Sequence, residues 1–459
     1  MRKSIIIITL GALFCSLPFA VLGQKKDERP SVDIPDNYRG FEPSMSKTTS
    51  SIGDLKWFEI FNDHQLQQLV RTAFEKNLDL RAATVRIDAQ RANLGISRSN
   101  QVPQIGTSVG VGLGDSSEPR NGFGQVLLNL LSFEIDIWGR LRHQTRAARA
   151  QLAASEEDRK AVMTVIVSEV AAGYFNLLQL DREREIARQT LADRQRSLDL
   201  IRIREQGGLA TMLDVRQGEE LVYSAKQVIP EIERSIEQTE NHLNVLIGTN
   251  PGPIVRGSPL ADQTSLPDVP AGLPSTLLER RPDILAAERD LESRRALVRA
   301  AKAAYFPRIS LTAAFGMQSN SLAGLFSGGS WNFVPQLTQP IFSAGRLKSN
   351  VRLARADQEL SLIRYELTIR TAFREVSDAL IMHRKVKEIR EAQELLVLTL
   401  RDRSRLAYLR YEGGVDSLLN ALDADRSLFN AELNLARSQR DELVALVQLY
   451  KALGGGWQQ

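Results

Sequence analysis

Residue types that could carry acid–base, nucleophilic or metal chemistry are present in this 459-residue chain, but their spacing does not assemble them. The four histidines, His64, His143, His242 and His383, are scattered and lack metal-ligand spacing. Cys15 is the single cysteine, which leaves no disulfide to form within the chain. Gly110, Gly112 and Gly114 do not make a phosphate loop; they fit a strand whose alternate face must stay small. There is no nucleophile elbow and no Walker motif. The expectation is therefore a protein that is not an enzyme, with no cofactor and no metal site.

The charge pattern is equally unspecialised. Basic and acidic residues alternate, as in Asp181-Arg182-Glu183-Arg184-Glu185, which is a solvated, ion-paired helix face and not a nucleic-acid patch. The N-terminus is more specific. Arg2 and Lys3 precede an apolar run from Ile5 to Leu22, broken by Pro18, and Val21-Leu22-Gly23 offers a cut before Gln24. Residues 1–23 are expected to be a secretory signal, with an uncleaved anchor as the alternative. Bulky Phe14 ahead of Cys15 favours ordinary cleavage over lipidation of that cysteine. Cleavage takes the formal charge from +4 to +2, because Arg2 and Lys3 leave and no acid does.

The elements that would position any site come from an internal duplication. Asn77-Leu78-Asp79-Leu80-Arg81-Ala82-Ala83 is echoed by Arg281-Pro282-Asp283-Ile284-Leu285-Ala286-Ala287, 204 residues on. Val102-Pro103-Gln104-Ile105 returns as Phe306-Pro307-Arg308-Ile309 at the same shift. Gly139-Arg140-Leu141, Glu205-Gln206-Gly207-Gly208-Leu209 and Leu246-Ile247-Gly248 return at a shift of 206. The copies cover 66–248 and 275–453, joined by a Pro/Gly/Ser-rich linker, 249–274, and followed by a tail, 454–459. Each reads as helix, strand, strand, very long helix, return helix. The long segments, Arg140 to Gln206 and Arg346 to Glu412, contain no proline and are rich in helix formers. Apolar residues recur every three or four positions, as in Leu360-Ile363-Leu367, the pattern of coiled-coil packing. Gly207-Gly208 and Gly413-Gly414 end them, so long hairpins are expected over 140–248 and 346–453, with Pro230 expected to kink the first return helix. Ala161 to Leu180 is apolar enough to resemble a membrane span, but its polar residues mark it as buried packing surface.

Between the helices the period changes from 3.6 to 2. Strands are expected at about 103–114, 124–138, 307–318 and 331–343. Larger apolar residues such as Ile105, Val109, Leu311 and Phe315 alternate with Gly, Ser and Thr, and aromatics gather at the ends: Trp138, Tyr305, Phe306 and Phe342 on the helix side, Phe123 and Trp331 near the loops. Such strands suit a barrel wall in an outer membrane, in contact with its lipid. A soluble hairpin with one buried face is the rival reading. Four strands cannot close a barrel, so their edges must pair with further copies of the chain, two, three or four in all.

With these features assembled, the chain resembles the outer-membrane factor family, the TolC-like and OprM-like channels. The resemblance rests on Trp57-Phe58-Glu59-Ile60-Phe61-Asn62-Asp63, on Tyr411-Glu412-Gly413-Gly414-Val415-Asp416-Ser417-Leu418-Leu419-Asn420-Ala421-Leu422-Asp423-Ala424, and on the ending Leu449-Tyr450-Lys451-Ala452-Leu453-Gly454-Gly455-Gly456-Trp457. That ending is similar to the NodT-type multidrug-efflux branch. The resemblance implies a mainly α protein with a transmembrane β-barrel: a homotrimer with twelve strands in one barrel and twelve helices in a periplasmic tunnel. It implies a belt around the helices built from 24–65, 249–274 and the C-terminus. It also implies an exit channel in a Gram-negative outer membrane that works passively with a periplasmic adaptor and an inner-membrane transporter.

Site residues follow from the same resemblance. Asp423 matches a pore-narrowing aspartate, whose three copies would raise one another's pKa and favour cations. Asn420 stands where some members carry a second aspartate. Tyr411 and Asp214 match a pair that tethers neighbouring hairpins when closed; Asp416 replaces an arginine of that tether. The turns at Gly207, Gly208, Gly413 and Gly414 would meet the adaptor. An outlet for polypeptides, or a secreted soluble coiled-coil scaffold, are the competing functions.

Overall fold

The computed structural model describes residues 34–35, 38–39, 51–111, 124–263, 274–319 and 325–458. The expected signal segment, Cys15, Gly112, Gly114 and Phe123 lie outside them. In chain order the main elements are α1 (Trp57–Ile60), α2 (His64–Lys76), α3 (Leu78–Ser99), β1 (Gln104–Val111), β2 (Gly124–Ile135), α4 (Arg140–Gln206) and α5 (Met212–Leu246). The second copy supplies α6 (Pro274–Arg280), α7 (Pro282–Ala303), β3 (Arg308–Ser319), β4 (Gly329–Thr338), α8 (Arg346–Glu412) and α9 (Leu418–Ala452).

Proline-free, Ala/Leu/Arg/Glu-rich sequence makes α4 and α8 unbroken helices of 67 residues each, about 100 Å at 1.5 Å per residue. α5 and α9, 35 residues each, return beside them, and α5 runs continuously through Pro230. α4 packs against α3, α5, α7 and α9; α8 packs against α7 and α9. The duplication reappears in how helices meet end to end. Asn77 Nδ2 donates to the Leu246 carbonyl at 2.7 Å, joining α3 to the end of α5. Its counterpart Arg281 donates through Nη1 to the Ala452 carbonyl at 3.0 Å, joining α7 to the end of α9.

The apolar stretch of α4 around 161–180 is long and apolar enough to cross a membrane by composition. It is instead covered by protein, with Ile166, Val167, Val170, Ala171, Tyr174 and Leu177 buried. Segments from both ends of the chain do the covering. Phe61 packs edge-on against Phe175 and Tyr450, the Tyr450 hydroxyl donates to the Leu55 carbonyl at 2.8 Å, and Lys160 sits 5.0 Å from the Trp457 ring.

The strands form one antiparallel sheet in the order β1-β2-β3-β4. Its register sorts the side chains. Paired rows Ile105–Leu130–Ala313–Phe333 and Thr107–Leu128–Phe315–Trp331 share one face; Gly106–Asn129–Ala314–Asn332 and Ser108–Leu127–Gly316–Ser330 share the other. The first face is exposed at Ile105, Leu128, Phe315, Trp331 and Phe333, a largely apolar wall. The second is small and polar apart from Leu127, with Asn129 Nδ2 donating to Ser108 Oγ at 2.8 Å. Trp138 stacks on Phe306, and its indole N–H donates to the Pro307 carbonyl, an aromatic anchor at the helix end of the sheet.

Two strands are shorter than expected. The one anticipated to 138 stops at Ile135, because Asp136 turns its carboxylate onto the Leu141 and Arg142 amides and caps α4. The one anticipated over 331–343 is β4, which begins at Gly329 and ends at Thr338. Beyond it Pro340 has no N–H for the ladder, and Gln339 Nε2 bonds the Tyr305 carbonyl.

Candidate functional site

The hairpin tips gather most of the residues singled out above. At each turn only the second glycine takes a left-handed conformation: Gly208 at φ 75° and Gly414 at φ 70°. Gly207 and Gly413 keep negative φ. The next amides, of Leu209 and Val415, donate back to the Arg204 and Arg410 carbonyls at 2.8 and 2.9 Å, closing each helix end. Around these turns Leu209, Met212, Leu213, Val415 and Leu419 are exposed.

Behind the turns a small core of Leu198, Ile201, Val215, Leu221, Val222, Tyr411, Leu418, Ala421 and Leu422 joins the two hairpins. Asp423 lies on the exposed side of α9, with its side chain 42% accessible. It accepts from Arg403 at 2.7 Å and from Arg426 at 3.1 Å. These two guanidinium groups hold its carboxyl below the usual range within the chain. That is opposite to the direction a ring of bare carboxylates would impose. The Asn420 amide donates to Asp416 at 2.7 Å, and Asp416 also accepts from Arg410 at 3.1 Å.

No hydrogen bond joins Tyr411 to Asp214 among the described residues. Asp214 Oδ2 is occupied by the Thr211 amide and hydroxyl, a capping box at the start of α5, at 2.7 and 2.8 Å. The Tyr411 hydroxyl is buried without a hydrogen-bond partner. Burial pushes it up in pKa, with Arg204 and Asp214 as its charged neighbours in opposite senses. The Arg204 guanidinium lies 4.7 Å from the centre of the Tyr411 ring.

Sequence reasoning missed a clamp further along the hairpins. Arg194 of α4 is 3% exposed; its Nε donates to Asp425 of α9 at 2.7 Å, and its Nη1 donates to the Leu221 carbonyl and Ser224 Oγ of α5. The guanidinium also packs 4.9 Å from the Phe429 ring. The repeat carried a signal for it. At a shift of 206, Arg194 corresponds to Leu400, so a charge stands where the other copy keeps an apolar residue.

A sheet with an apolar outer face and two unpaired edges, continuous with helices of this length that end in mutually packed turns, defines the subunit of an outer-membrane channel. The chain belongs to the outer membrane efflux protein family: the family model matches residues 69–249 and 273–455, one match to each copy of the repeat. It is 37% identical to the outer membrane protein OprJ of Pseudomonas aeruginosa over 99% of this chain and 95% of that one. It is also 37% identical to the toluene efflux pump outer membrane protein TtgC of Pseudomonas putida, over 90% of this chain and 88% of that protein. Among solved structures, the open state of the Neisseria gonorrhoeae MtrE outer membrane channel superposes with a TM-score of 0.85 at 32% identity, over 94% of this chain and 98% of that one. The protein is an outer-membrane efflux channel of a Gram-negative cell, which removes the soluble-scaffold reading. Channels of this family form trimers and work with pump components.

Proposed function

We propose that three copies of the chain close a twelve-stranded barrel over a twelve-helix tunnel and pass small molecules out passively. On this reading an inner-membrane transporter selects the cargo, and a periplasmic adaptor engages the turns at Gly207–Gly208 and Gly413–Gly414. The carrying observation is the sheet: among the described residues β1 and β4 each have one unpaired edge, and an unpaired backbone edge is prohibitively costly in lipid, so β4 of one copy must pair with β1 of the next. The toluene efflux relative supports small, apolar cargo. Native mass of the detergent-extracted protein tests the assembly. Three chains are expected, and a monomer released without detergent would remove the shared barrel.

Asp423 and Asn420, one turn apart on α9, are the gate residues in this proposal. Tyr411 and Asp214 belong to the contact set that holds the closed tip. Asp423→Ala is expected to raise leak conductance or lower cation selectivity in planar bilayers; if neither changes, Asp423 is not the gate.

A further inference from the structure

The residue that crosses between the two hairpins at the tip is an arginine that neither the repeat nor the expected tether identified. Arg204 sits in the last turn of α4, in the first hairpin. Its guanidinium lies over the Tyr411 ring, at the end of α8 in the second hairpin, and its Nη1 reaches the Glu412 carbonyl at 3.4 Å. Its Nε is buried without a hydrogen-bond partner, so its main contact is the ring face. A planar cation over an aromatic face is attracted by the ring's quadrupole, and the half-buried Arg204 makes that contact at the edge of the apolar core. Tyr411 is itself only 8% exposed, packed among the apolar residues that join the hairpins.

The duplication makes the arrangement informative. The repeat counterpart of Arg204 is Arg410, which stays within its own hairpin on Asp416 at 3.1 Å. The counterpart of Tyr411 is Glu205, which offers no ring. One arginine of the pair has therefore been recruited across the hairpin boundary, and the other has not.

We propose that Arg204 is the positioning residue of the closed state, latching the first hairpin to the second by stacking on the Tyr411 ring. The hydroxyl of Tyr411 is not the latch, and Asp214 contributes by capping α5 beside it. This rests on the reading of the tip as the channel's closing point. Spreading the hairpins would separate α4 from α8 and break the stack, so the contact favours the closed form by its differential strength.

The test is single-channel and ensemble conductance of the purified, assembled protein in planar bilayers, with native mass and circular dichroism confirming assembly of each variant. Arg204→Gln and Tyr411→Leu are each expected to raise the open fraction roughly 2- to 30-fold, the range of a cation–ring contact from exposed to desolvated settings. The double variant should open little further than either alone, because both remove the same contact. Tyr411→Phe, which keeps the ring, should retain most of the closure, and Arg204→Lys part of it. If Tyr411→Phe opens the channel as far as Tyr411→Leu, the hydroxyl is the latch and the proposal is overturned. If Tyr411→Leu opens it and Arg204→Gln does not, the tip gate stands but Arg204 has no part in it. If every variant conducts like the unaltered protein, the tip does not close the channel, and the underlying reading fails with the proposal.

Discussion

Arg194→Met is expected to destabilise the folded chain by about 3–5 kcal/mol, the cost of removing one member of a buried ion pair. The side chain is 3% exposed and connects three helices: α4 through its own backbone, α9 through Asp425, and α5 through the Leu221 carbonyl and Ser224. Methionine fills much of the volume but supplies none of the donors, so Asp425 stays largely buried with no counter-charge. Burial already pushes Asp425 above its usual range even with Arg194 opposite it. A carboxyl raised in the folded state contributes stability that is complete below its unfolded pKa and is lost as pH rises through the folded value. The Arg194→Met protein should therefore lose more stability at pH 8 than at pH 5. Adding Asp425→Leu should restore much of the loss and abolish that pH dependence. Thermal unfolding of the unaltered protein, Arg194→Met and the double variant at both pH values decides the matter. A double variant no more stable than Arg194→Met would show that a stranded Asp425 charge is not the cause of the loss.

Asp63→Ala should be nearly as damaging, at about 3–5 kcal/mol, because one buried carboxylate serves several donors at once. Its Oδ1 caps α2 by accepting from the Gln65 and Leu66 amides at 2.8 and 3.1 Å. Its Oδ2 accepts from the Tyr174 hydroxyl, the Ser258 amide and Gln263 Nε2 at 3.0, 3.1 and 2.7 Å. Removing it strands these donors between α4 and the segments that wrap it. Burial alone would raise this carboxyl, but the hydrogen bonds from Leu66, Gln263, Tyr174 and Gln65 outweigh burial and lower it. A depressed carboxyl contributes stability present above its unfolded pKa of about 3.9 and lost as pH falls through the folded value. Hydrogen exchange at the Gly257 and Ser258 amides should therefore be slow from neutral pH down to about pH 4 and accelerate only below it. Asp63→Asn, which cannot titrate, should remove that acid step; persistence of the step would assign it to another group.

Much of the architecture was legible because it is periodic. A proline-free run of helix formers followed by two glycines sets both the start and the end of a helix by local physics, and α4 and α8 occupy the expected residues, 140–206 and 346–412. Alternation of Ile105, Val109, Phe315 and Met317 with Gly, Ser and Gln similarly places one face of a sheet against lipid, whatever the neighbours are. Strand ends were less legible. Asp136 ends β2 by capping a helix, a competition between two local structures that alternation alone cannot rank.

The site divides along the same line. The sequence by itself determined the duplicated plan, the membrane-facing strands, the turns at Gly208 and Gly414, and the family to which Asp423 and Tyr411 could be matched. Only the tertiary structure decided what those residues touch. It gave Asp423 two arginines, committed Asp214 to a helix cap, set Arg204 over the Tyr411 ring and brought Arg194 to Asp425. Periodicity is a property of neighbours along the chain, whereas a partner hundreds of residues away is chosen by how two long helices set their rotation and register. For a charged side chain in a buried seam, that choice fixes whether the charge is paired and what removing it would cost.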